Sequence, residues 1–83
     1  MIREKELIWG TNYGKVKLCI KDKMDEKNIS ISKMSRLSGL KYDVVLNYYY
    51  NRIHIYNADI LAKFCYVLDC PISTLVIYEK PIK

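Results

Sequence analysis

Gly39 lies inside "SRLSGLKYDVVLNYYYNR", residues 35–52, and no other feature restricts the shape of this chain so tightly. Before it, Met34 and Leu37 stand three apart; after it, Val45 and Tyr48 do the same. That spacing marks one face of a helix turning 100° per residue. Glycine lacks a Cβ and enters the left-handed conformation that ends a helix. Two short helices must therefore meet at a sharp bend. A strand over residues 42–50 would send Val44 and Val45 to opposite faces, but the glycine turn and the helical segments on either side favour a helix from about Tyr42 to Tyr50. Asp43, Asn47 and Tyr50 then point away from Val45 and Tyr48. Ser30 is placed to cap the preceding helix, because its hydroxyl accepts from free amides of the first turn. Ser35 is small enough to let the two helices approach.

The flanking segments extend this pattern. "KVKLCIK" alternates Val16, Leu18 and Ile20 with lysines and Cys19, which reads as a short strand running into a helix over residues 20–27, with Asn28 as its stop. Asn57 caps "ADILAKFCYVLD", where Ala58, Leu61, Ala62, Cys65 and Leu68 form one stripe. Pro71 suits the start of a short fifth helix with Ile72 and Leu75 inward. "LVIYEK" reads as a closing strand that pairs with residues 15–19. Residues 1–14 form an N-terminal arm in which "ELIW" fits either a short strand or a docked piece. Residues 15–79 form the domain, and 80–83 a tail.

Composition narrows the class. An 83-residue chain is one domain that hides only about 60% of its unfolded surface, so helices with short connections suit it. No apolar run reaches the ~18 residues of a membrane span, and no signal-peptide core precedes the domain. Cys19, Cys65 and Cys70 are an odd set without a CxxC pair, which implies reduced thiols and a cytoplasmic setting. The net charge is +5. Residues 27–52 hold Lys27, Lys33, Arg36, Lys41 and Arg52 against Asp43 alone, whereas residues 53–79 hold Lys63 against Asp59, Asp69 and Glu79. A basic middle beside an acidic C-terminal half suits a polyanion, although a solvated surface produces the same bias.

Residues 29–52, "ISISKMSRLSGLKYDVVLNYYYNR", resemble the helix-turn-helix of the Cro/CI-type (XRE) repressor family, with Ser35, Gly39, Leu40, Val45 and Tyr48 at the matching spacing. "NADILAKFCYVLDCPISTLVIYEK" is similar to that family's fourth and fifth helices, and the likeness covers roughly residues 16–79. It is greatest to short bacterial and mobile-element regulators. The resemblance implies an all-α, five-helix lambda-repressor-like fold with room for a small two-stranded sheet from the terminal segments. The helix-turn-helix would span about residues 30–50. In such folds the second helix crosses the DNA backbone and the third enters the major groove. Carried onto this chain, base-reading falls to Tyr42, Asp43, Leu46, Asn47 and Tyr50: Asn47 suits adenine, Leu46 a thymine methyl, Asp43 a cytosine amine. Phosphate contacts fall to Ser32, Lys33, Arg36, Lys41, Asn51 and Arg52, with tyrosine hydroxyls on Tyr42, Tyr49 and Tyr50 as further donors. The partners implied are a double-stranded DNA operator and a second copy of the chain.

The departures from the family are local. Ile31 stands where the family often has glutamine, and "YDVVLNYYY" is poorer in Gln, Ser, Arg and Thr than the usual reading helix. Asp43 equally suits the helix dipole near an N-terminus, and the tyrosines equally suit amphipathic filling. No Ser/His/Asp, Cys/His or paired-carboxylate set accompanies His54, a loop residue, so no enzyme activity is expected. No metal-ligand cluster, cofactor loop or small-molecule substrate site is expected either. The competing function is a protein-interaction module using the tyrosine-rich third helix.

Overall fold

The computed structural model describes residues 13–81, so the arm's "ELIW" lies outside the described residues. In chain order the elements are β1 (Lys15–Leu18), α1 (Ile20–Glu26), α2 (Ile31–Ser38), α3 (Tyr42–Tyr49), α4 (Ala58–Leu68), α5 (Ile72–Leu75) and β2 (Val76–Glu79). This is the expected five-helix architecture, and the small sheet is present. β1 and β2 pair antiparallel, with Val16 opposite Tyr78 and Leu18 opposite Val76. The strands thus tie the start of the domain to its end. Glu79 reinforces the ladder by accepting from Lys17 at 2.8 Å, with Lys15 at 3.6 Å. The Lys17 bond holds the Glu79 carboxyl below the usual carboxylate range.

Local chemistry sets the helix ends. Ser30 accepts from the Lys33 amide at 3.1 Å, and Asn57 accepts from the amides of Asp59 and Ile60. Each satisfies donors that a first turn leaves open. Gly39 closes α2 at φ 78°, donating its amide to the Ser35 carbonyl. The turn is stitched further by Ser35, whose hydroxyl donates to the Leu40 carbonyl, and by Ser38, whose hydroxyl donates to the Met34 carbonyl and accepts from the Leu40 amide. Small hydroxyl residues here hold the bend as well as allow close approach.

The core gathers Leu18, Ile20, Met24, Met34, Val45, Tyr48, Phe64, Leu68 and Leu75. At roughly 1.5–3 kcal/mol for each large buried side chain, it supplies most of the folding drive. Three expected faces are corrected. Leu37 does not join Met34 inside but stays 53% exposed, since α2 turns toward α3 and α4 on the Met34 side alone. Ile72 is exposed while Leu75 is fully buried. On α4 the inward side chains are Phe64 and Leu68, with Ala58 and Ala62 exposed and Leu61 and Cys65 half-buried. The inward stripe is therefore rotated from the one expected, because the bulky Phe64 ring takes the centre. Among the described residues no helix is long and apolar enough to cross a membrane.

Two substitutions test this account by urea denaturation. A Cβ at Gly39 would meet nothing within 4 Å, so Gly39→Ala carries only the left-handed backbone penalty, about 1–2 kcal/mol. Phe64→Ala should cost about 3–5 kcal/mol. A Gly39→Ala protein as stable as wild type would show that the turn does not need glycine.

Candidate nucleic-acid interface

The surface of interest is built by α2, the Gly39 turn and α3. Val45 and Tyr48 anchor α3 from below. On its other side Tyr42 and Asp43 are exposed, Leu46 and Asn47 are half-buried, and Tyr50, the residue capping the helix, is 49% exposed. All five positions expected to face a ligand are thus reachable, and they run along one side of two helical turns. On α2, Ser32, Lys33 and Arg36 are exposed at i, i+1 and i+4; Lys41 is exposed at the start of α3, and Asn51 and Arg52 just after its end. The six expected phosphate contacts therefore surround the exposed side of α3.

Charge pairing divides the molecule. The lysines of β1 and α1 are occupied at home: Lys15 and Lys17 by Glu79, Lys21 by Asp25, Lys23 by Glu26. Lys33, Arg36, Lys41 and Arg52 have no ion-pair partner among the described residues. Arg52 lies over the Tyr50 ring at 5.0 Å, a cation–π contact that leaves its guanidinium donors unspent. Tyr50 in turn meets Tyr49 edge-on, with ring centroids 4.9 Å apart.

The three consecutive tyrosines have three different jobs. Tyr48 is buried; its ring packs against Phe64 at 5.6 Å, and its hydroxyl accepts from the Asn57 amide at 3.1 Å. Tyr49 donates its hydroxyl to Asp25 Oδ1 at 2.7 Å, while Lys21 Nζ donates to Asp25 Oδ2 at 3.0 Å and lies 5.5 Å from the Tyr49 ring. The Tyr49 proton, expected as a phosphate donor, thus ties α3 to α1. The Tyr49 hydrogen bond, followed by that of Lys21, holds the Asp25 carboxyl below its ordinary range. The same bond raises the Tyr49 phenol. Only Tyr50 turns outward.

Asn51 carries a role that the sequence reading missed. It takes φ 58° just past α3, and its side-chain Oδ1 accepts from the Leu18 amide at 3.1 Å. The end of α3 is thereby fastened to β1. An asparagine just past a helix is the available signal, since this residue tolerates the left-handed conformation. Among the described residues no group of three His, Cys, Asp or Glu side chains is placed to hold a metal ion. His54 is exposed, as expected of a loop residue.

Comparison with known proteins agrees with this geometry. The family model described as the Cro/C1-type HTH DNA-binding domain matches residues 20–81. A crystal structure of a protein from Bacteroides fragilis, provisionally named as DNA-binding, superposes with a TM-score of 0.68 at 17% identity. The match covers 76% of this chain and 100% of that one. At that identity the likeness speaks to the fold. No curated protein matches.

The Asp25 link yields a pH prediction. A carboxyl depressed on folding adds stability above its unfolded pKa, and that stability is lost as pH falls through the folded value. Tyr49→Phe should raise the Asp25 pKa toward the ordinary carboxylate value, so that the stability Asp25 loses in acid is smaller and its loss is complete at a higher pH. Carboxyl NMR titration reads the first effect; an unmoved Asp25 titration in Tyr49→Phe would show that the hydrogen bond is absent in solution.

Proposed function

Because the chain belongs to the Cro/C1-type helix-turn-helix DNA-binding domain family, we propose that it is a sequence-specific transcriptional regulator that represses by occupying a double-stranded operator. The observation that carries this reading is the exposed side of α3 framed by four cations, Lys33, Arg36, Lys41 and Arg52, that have no ion-pair partner among the described residues. A surface of that kind releases condensed counterions when it meets phosphates, which is the sequence-independent part of DNA affinity.

Selectivity then comes from α3 in the major groove. Asn47 offers both a donor and an acceptor to an adenine edge, Leu46 offers an apolar surface to a thymine methyl, and Asp43 accepts from a cytosine amine. Tyr42 and Tyr50 bracket these three with hydroxyls that donate to base edges or flanking phosphates. Ser32, Lys33, Arg36, Lys41, Arg52 and the free Nδ2 of Asn51 fix the register without reading sequence. Asp43 repels phosphates, so it lowers affinity for unmatched DNA and sharpens the preference for a site that offers it a donor. Two copies on half-sites about one helical turn apart, ~34 Å, match the symmetry of such operators.

The exposed aromatic content of α3 also supports a second reading, a protein-docking surface on the same fold. Tyr42 is 51% exposed and Tyr50 nearly as much, and tyrosine is enriched where proteins meet.

The two readings separate in one titration. DNA binding through several phosphates falls with salt at a log–log slope of about −0.9 per contact. Arg36→Ala should weaken binding to every sequence and make the slope shallower by about one. Asn47→Ala should instead relax the preference at a single base pair, a discrimination of about 1–3 kcal/mol. Gel shifts across a panel of operators measure both. Absence of any binding to mixed-sequence DNA at low salt would favour the protein-docking reading.

A further inference from the structure

We propose that Cys65 and Cys70, both present as free thiols, are a redox pair that low-molecular-weight disulfides close into an intramolecular disulfide across the end of α4. The starting observation is the way α4 stops. Asp69 takes the left-handed conformation at φ 51° and ψ 55°, and its amide donates to the Tyr66 carbonyl. The Cys70 amide donates to the Cys65 carbonyl at 3.1 Å. Those two bonds define a Schellman motif, in which the residue after the left-handed one folds back so that its side chain meets the last full turn. That contact is ordinarily apolar; here both members are cysteines. The spacing fits as well. A backbone bond of 3.1 Å holds the two Cα atoms within about 7 Å of each other, whatever its angles. Disulfides span Cα separations of about 4.4–6.8 Å.

The two thiols are unequal. Cys65 lines an open apolar groove of about 480 Å³ with Ala58, Leu61, Ala62 and Ile72, so a small disulfide can reach its sulfur. Cys70 is half-buried against the core, and burial first, then the neighbouring Cys65 thiol, pushes its own thiol up. Cys65 therefore attacks first and Cys70 resolves. In the first step the Cys65 thiolate bonds to one sulfur of the small disulfide and expels the other half as a thiolate. The Cys70 thiolate then bonds to the Cys65 sulfur and expels the remaining half. The pair gives up two electrons and two protons, and the small disulfide leaves as two thiols. The ring so closed runs only from Cys65 to Cys70, and the backbone already holds its ends together. Cys19, at the N-terminal end of α1 with its amide donated to the Leu75 carbonyl, is the internal control. Neither step depends on what α3 binds.

Oxidised glutathione is the probe. The folded full-length chain is incubated with it, its remaining thiols are alkylated, and the product is digested with trypsin. No Lys or Arg separates the two cysteines, so the peptide that begins at Phe64 carries both. In wild type and in Cys19→Ser that peptide should escape alkylation and be lighter than its reduced form by two hydrogen atoms. Cys70→Ser should instead trap glutathione on Cys65, and Cys65→Ser should leave Cys70 open to alkylation. In glutathione redox buffers the folded chain should keep the disulfide against conditions at least ~tenfold more reducing than the chain in urea does, because folding has already brought its ends together. A wild type that retains glutathione on Cys65 beside an alkylated Cys70 would overturn the proposal. So would a pair still fully alkylated after the oxidant has consumed a free cysteine in the same tube, or a folded chain that holds the disulfide no better than the unfolded one.

Discussion

Tyr48 is the contact on which the rest of the architecture depends. Its ring packs on Phe64, at the centre of α4, and its hydroxyl accepts the amide of Asn57, the residue that caps the same helix. One side chain therefore locks α3 to both the middle and the beginning of α4. A phenylalanine there would fill the space but leave the Asn57 amide without this acceptor, and a partly buried amide without a partner costs about 1–3 kcal/mol. Val45 shares the face, and Tyr49 and Asn51 add fastenings to α1 and β1. A helix of eight residues has little intrinsic stability in water. Here it is held on three sides, so its outward residues keep fixed positions.

The electrostatic pattern has an equally local origin. Carboxylates at i+3 and i+4 along α1 and across the sheet neutralise the lysines of β1 and α1. Each such exposed pair adds little to stability. Their larger effect is that, among the described residues, the positive charge without an ion-pair partner gathers on α2 and at the ends of α3. Net charge alone gives a weak inference about a polyanion; its segregation by pairing gives a stronger one, because a ligand meets the unpaired cations first.

What the sequence disclosed divides along the same line between local and distant causes. Ser30, Asn57 and Gly39 announce their roles because caps and turns are decided within four residues. The pairing of "LVIYEK" with residues 15–19 was legible as well, since both segments are short, apolar and at opposite ends of the domain. Leu37, Ile72 and the α4 stripe were not. A periodic apolar pattern says that a helix has a preferred side, yet which flank of a broad pattern goes inward depends on partners far along the chain. On α4 the pattern spans Ile60 to Leu68 almost continuously, and the choice fell to Phe64, whose volume only the centre of the core accommodates. Among the candidate site residues, exposure could be read from the helical period. The second commitments of Tyr49 and Asn51 could not, because Asp25 and Leu18 lie 24 and 33 residues away.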